Sequence, residues 1–216
     1  LAKPTLRNEI CGIRIFRRIP MKSRVEELVG SFSFIINKSL ILNFFKKALW
    51  IYKKIHYKRG TVIVLQYIGH VYISLMGNPQ KAKGYYKKAL ELSQTIQGRS
   101  KKTLIKSTLT CLADAYRLEG NKAGPEKALR CLENALELSK NTGDKRYEAD
   151  ILRKIGFLYL KLGREKALEY MKKSLYLSQI YNYQRVEASA LAAIGNFYTG
   201  KGNSDKAFNY FYRALR

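Results

Sequence analysis

Few side chains in this sequence are equipped for bond-making chemistry, and those few are scattered. Its sulfur nucleophiles are Cys11, Cys111 and Cys131, and its imidazoles are His56 and His70. Three cysteines at these separations fit neither a disulfide framework nor paired metal ligands, and two histidines supply a zinc site poorly. The cysteines therefore read as small core residues of a reducing compartment. No nucleophile elbow, glycine-rich phosphate loop or paired-carboxylate motif is present, so the sequence predicts no catalysis and no cofactor. Cationic charge, by contrast, is abundant: 41 Lys and Arg stand against 16 Asp and Glu, a formal net charge of +25. The chemistry such a chain offers is the capture of anions.

That charge is unevenly spread. Residues 1–60 hold 14 basic and 3 acidic side chains, whereas residues 111–160 hold 9 and 8. The asymmetry predicts an anionic neighbour: an acidic protein surface, nucleic acid or an anionic lipid face. Within residues 1–24, Arg7, Arg14, Arg17, Arg18, Lys22 and Arg24 alternate with apolar residues between and beyond Pro4 and Pro20. This stretch reads either as the tail of an organellar leader or as an arm that docks on a partner. The first reading favours an organelle, plastid or mitochondrion, over the cytoplasm. Farther along, lysine pairs recur at Lys46-Lys47, Lys87-Lys88 and Lys172-Lys173.

The elements that must carry these charges are helical. Only 4 prolines fall in 216 residues, and 46% of the chain is hydrophobic, which suits long helices with a core. The most apolar run, Val62 to Met76, is interrupted by Gln66, Gly69 and His70, so no membrane span is expected. One phrase returns four times: Ile68-Gly-His-Val-Tyr72, Leu112-Ala-Asp-Ala-Tyr116, Ile155-Gly-Phe-Leu-Tyr159 and Ile194-Gly-Asn-Phe-Tyr198. Its small residue falls at 69, 113, 156 and 195, spacings of 44, 43 and 39 residues. Periods of this size mean stacked units, none of which buries its apolar face alone. A second helix follows each phrase, with small residues two turns apart at Ala82/Ala89, Ala128/Ala135, Ala167/Ser174 and Ala207/Ala214. The small residue of the first helix predicts close approach by the second, and the tyrosine three residues later reads as a core aromatic with a polar tip. Turn signals predict breaks at Gly77-Asn-Pro79, Gln97-Gly98, Gly120 to Pro125, Thr142-Gly143-Asp144, Gly163 and Gly200 to Asn203. Lys58-Arg59-Gly60 predicts a further one, with Gly60 as a left-handed helix stop.

These residues resemble the tetratricopeptide repeat. The last copy keeps the full frame of that family, with Leu191, Gly195, Tyr198, Gly202, Ala207, Phe211 and Ala214 in register. The other copies depart by small insertions or one deletion, and repeats near 40 residues look like the kinesin-light-chain and bacterial subclass. The resemblance implies an all-α fold, a right-handed α-solenoid of stacked antiparallel helix pairs. It covers residues 25–216 in units near 25–58, 61–98, 101–142, 145–182 and 184–216, with residues 1–24 as a basic arm or leader remnant.

In such solenoids the first helices line a concave groove and the second helices form a convex back. By register the resemblance places Arg117, Arg153, Lys154, Phe157, Lys161 and Asn196 in the groove, a basic and aromatic cluster fit for an acidic segment. The lysine pairs then form a stripe on the convex back. The Lys and Asn set by which some family members clamp a terminal carboxylate is not present here. The implied function is a non-enzymatic scaffold or adaptor that holds protein partners in a larger assembly, with an acidic surface or peptide as the partner. The apolar end at Ala214-Leu215 predicts either missing sequence or docking there. Two alternatives remain: a peripheral ribonucleoprotein subunit that binds RNA through the basic first half, and a peptide-sensing regulatory domain.

Overall fold

The computed structural model describes residues 38–121 and 123–215. The predicted arm, with Arg7, Arg14, Arg17, Arg18, Lys22 and Arg24, lies outside them, as do residues 25–37 of the 25–58 unit. Among the described residues there are nine helices and no strand: α1 (Lys38–Lys54), α2 (Lys58–Ser74), α3 (Pro79–Gln94), α4 (Ser100–Leu118), α5 (Gly124–Asn141), α6 (Lys145–Lys161), α7 (Ala167–Ile180), α8 (Gln184–Gly200) and α9 (Ser204–Leu215). The fold is an all-α solenoid of successive helix pairs. The described residues divide into two compact units, one ending at Leu92 and one beginning at Ser93.

In the first unit α1 packs on α2, and Phe45 stacks on Tyr67 at 5.3 Å between ring centroids. The break after α1 is not where Gly60 predicted it. His56 takes the positive φ of 51° that ends the turn, and Gly60 lies buried in the first turn of α2. A Cβ on Gly60 would stand 2.8 Å from Tyr57 Cε1 and 2.9 Å from Tyr52 Cδ2. Those two rings meet edge to face at 5.4 Å, so this glycine makes room for an aromatic pair rather than for a left-handed backbone.

In the second unit each helix packs on the next from α4 to α9, and α6 also touches α8. The apolar period explains this. In α5, Ala128, Leu129, Leu132, Ala135 and Ser139 are buried, a stripe at helical spacing that must be covered on one side. The predicted small positions do their expected work: Ala128, Ala135, Ala167 and Ser174 are fully buried, and Ser174 Oγ donates to the Ala149 carbonyl at 2.7 Å. Gly195 lets α9 approach α8, since a Cβ there would lie 2.7 Å from Phe211 Cε1. Met171, Ala193 and Ile194 form a core cluster, with Leu168, Leu175 and Phe197 packed around it. The turn between α7 and α8 has no glycine; Asn182 takes its positive φ of 53°.

Candidate protein-interaction surface

A lattice of ion pairs joins α4 and α6 in the second unit. Its foundation is Lys106, which an amphipathic reading of α4 leaves at the surface but which is 1% exposed. Lys106 Nζ donates to Asp144 Oδ2 at 2.6 Å and lies 4.5 Å from the centroid of the Tyr147 ring. Asp144 is the N-cap of α6, where its other carboxylate oxygen accepts from the Tyr147 N–H. One carboxylate thus caps α6 and fastens it to α4. Burial works to raise the Asp144 pKa, but the Lys106 hydrogen bond, the Tyr147 N–H and nearby cations outweigh it and hold the group below its ordinary range.

Two turns along α4, Asp114 accepts from Lys154 Nζ of α6 at 2.6 Å. Asp150 accepts from Arg153 at 2.6 Å. Burial alone would lower the Lys154 pKa, yet Asp114 and Asp150 reverse the effect and raise it. Asp150 is the converse case: burial pushes its carboxyl up, and Lys154 and Arg153 pull it below the usual value. Above this lattice sits Phe157, with the Arg117 guanidinium 5.8 Å and Lys161 Nζ 5.3 Å from its ring centroid. The sequence-predicted Arg117, Arg153, Lys154, Phe157 and Lys161 therefore meet at one place. Asn196 is exposed on α8.

Cys111 and Tyr147 lie against the same lattice. Burial pushes the Cys111 thiol up to about 12, with Asp114 adding to it, so it is not a thiolate near neutral pH. Burial likewise raises Cys131, to about 11. Among the described residues, no group of three or more His, Cys, Asp and Glu is placed to hold a metal ion. No helix among them is long and apolar enough to cross a membrane.

The lysine pairs are exposed: Lys46 and Lys47 on α1, Lys87 and Lys88 on α3, Lys172 and Lys173 on α7. Lys173 is ion-paired with Glu169 at 2.6 Å, and Lys88 lies over the Tyr85 ring at 5.9 Å.

A second arrangement went unread in the sequence. Three of the four repeated tyrosines do not simply fill the core; each of the three stacks on a tyrosine of the following helix. Tyr72 pairs with Tyr85 at 5.4 Å, Tyr159 with Tyr170 at 5.1 Å and Tyr198 with Tyr210 at 5.6 Å. A cation lies over each member: Lys81 and Lys88, Arg164 and Lys173, Lys206 and Arg213. The available signal was the tyrosine three residues after the first small residue of each second helix, at 85, 170 and 210. In α5 that position is Cys131.

Residues 65–96 and residues 147–216 each match a family model described as tetratricopeptide repeat. No curated protein matches the chain in sequence. Among solved structures, BtubC (BKLC) from P. vanneervenii is similar over 84% of this chain and 73% of its own, with 20% identity and a TM-score of 0.71. A putative kinesin light chain with TPR-like repeats from Podosopora anserina covers 92% of this chain and 96% of its own at 13% identity and a TM-score of 0.65. MamA is 27% identical over 80% of this chain and 88% of its own, with a TM-score of 0.52. The two lower identities speak for the fold alone, and it is the one the repeated phrases predicted. With helix pairs in series and glycine-opened contacts between them, residues 65–96 and 147–216 are stretches of tetratricopeptide repeat within an all-α solenoid.

Proposed function

We propose that this chain is a non-enzymatic scaffold that holds a protein partner within a larger assembly, and that its α4–α6 surface receives an acidic segment of that partner. The observation that carries the reading is the position of Arg117 and Lys161 over one Phe157 ring. Beneath them Asp114 and Asp150 neutralise Lys154 and Arg153 and fix the floor. Lys161 is exposed and Arg117 only loosely paired, 3.8 Å from Asp114, so both remain available to a carboxylate. A double charge reversal, Arg117→Glu with Lys161→Glu, removes the loose Arg117–Asp114 contact but keeps both partners of the Lys154–Asp114 and Arg153–Asp150 pairs. Recovery of partners from the native source on wild-type and variant chains tests the reading. Loss of one defined protein, with helix content unchanged by circular dichroism, is expected, at a cost of about 2–5 kcal/mol for contacts buried in the complex. Normal recovery by the variant removes this surface as the site. RNA recovered after crosslinking and nuclease treatment, with no protein retained, would replace the reading by the ribonucleoprotein one.

A further inference from the structure

The three rows of cation, paired tyrosines and second cation differ in what their cations do next. In the α6–α7 row, Glu169 takes Lys173 and Glu126 takes Arg164, so the row neutralises itself. In α9 the position equivalent to Glu169 is Asn209. Neither Lys206 nor Arg213 has an ion-paired carboxylate among the described residues. A cleft of about 390 Å³ opens on this row, lined by Tyr198, Asp205, Lys206, Asn209, Tyr210 and Arg213.

We propose that this cleft is a docking site for an extended acidic peptide segment, whose carboxylates reach Lys206 and Arg213 and whose backbone meets the Asn209 amide between them. The spacing defines the ligand. Lys206 and Arg213 are seven residues apart on α9, which is two turns, or about 10 Å along the axis. An extended chain advances about 3.3 Å per residue, so carboxylates about three residues apart span the two cations. The aromatic faces argue against a single-stranded nucleic acid. Each ring already has a tyrosine partner, and a cation 5.5 Å from its centroid, and a stacking base would have to compete with both. Asp205, beside Lys206 on the lining, disfavours a densely charged polyanion more than a chain whose carboxylates are spaced. This site is separate from the Arg117–Lys161 surface and does not depend on it.

The test uses the whole chain and a short fluorescein-labelled Gly/Ser peptide carrying two glutamates about three residues apart, read by fluorescence anisotropy at low salt. The glutamate peptide is expected to bind, and the same peptide with glutamines is not. Asn209→Glu installs the equivalent of Glu169, which takes Lys173 in the α6–α7 row, and it should weaken binding by about tenfold or more; Arg213→Gln should do the same. Both positions are exposed on α9, so helix content should not change. The Arg117→Glu, Lys161→Glu double variant should bind this peptide normally. The proposal is overturned if Asn209→Glu and Arg213→Gln bind as tightly as wild type. It also fails if only the double variant loses binding, or if a single-stranded RNA displaces the peptide and shows the same Asn209→Glu loss.

Discussion

Lys106 and Lys154, on α4 and α6, end on Asp144 and Asp114 at 2.6 Å, and the carboxylates in turn hold helices together. Lys206 and Arg213, on α9, lie over the rings of Tyr198 and Tyr210 with no ion-paired carboxylate among the described residues. The two regions share a fold, a repeat frame and an excess of lysine and arginine, yet one spends its cations on internal joints and the other leaves them for a visitor. Charge counted from composition therefore overstates what is on offer to a partner. In the α4–α6 pair, electrostatics is largely a packing force; in the α8–α9 pair packing is aromatic, and electrostatics is left over.

The largest break in this comparison comes from Asp144→Ala. It removes the N-cap of α6 and strands Lys106, 2% exposed at its side chain, without a counter-charge. The expected loss is about 3–5 kcal/mol, read from the denaturant midpoint, whereas Lys106→Met, which leaves a half-exposed cap in place, should cost far less. Asp144 also predicts a pH dependence. Its folded pKa is depressed, so its contribution is complete above the unfolded value of about 3.9 and disappears as pH falls through the folded one. Melting temperature should be flat with respect to this group from pH 7 to about 5 and fall in stronger acid, and Asp144→Asn should blunt that fall.

On the aromatic side, Gly195→Val forces a branched side chain against Phe211, where even a Cβ would sit 2.7 Å away. A destabilisation of roughly 1–3 kcal/mol is expected, again from the denaturant midpoint. The smallest effect sharpens the contrast instead of breaking it. Cys131→Tyr places a tyrosine at the α5 position that Tyr85, Tyr170 and Tyr210 hold in the other pairs, beside Tyr116, over which Lys127 already lies at 5.9 Å. A gain of about 0.5–1.5 kcal/mol in stability is expected, with a thermal melt as the check; a loss would mean that the α4–α5 contact has no room for the ring.

The repeat frame was legible because glycine and alanine at contact points have one mechanical use, and the period repeats it. Gly60 was misread because a glycine beside Lys58 and Arg59 carries the signature of a helix stop, and nothing local reveals that Tyr52 and Tyr57 need the space. Asn182 closes a turn without a glycine. The basic cluster around Phe157 could be read from register, but the lattice below it could not: a lysine in an amphipathic helix is ordinarily assigned to solvent. One signal was present. Lys106 and Asp144 are 38 residues apart, and Asp114 and Lys154 are 40 apart, close to the repeat length. In a stacked array, opposite charges one period apart are neighbours, so the period that locates the helices also locates their joints.

A series of stacked helix pairs opens wherever its nearest-neighbour coupling is weakest. Because Asp144 ties the start of α6 to the buried middle of α4, fraying of α6 from that end must also expose an ammonium group. Excursions toward partly open forms are thereby diverted from the α4–α6 joint to α8 and α9, whose contact rests on rings and small residues. Amide hydrogens of α9 should exchange through frequent local openings while those of α4 and the first turns of α6 wait for nearly global ones. The firm part of the second unit would then be its α4–α6 joint, and the segment free to adjust its shape around an incoming chain would be the one that carries Lys206 and Arg213.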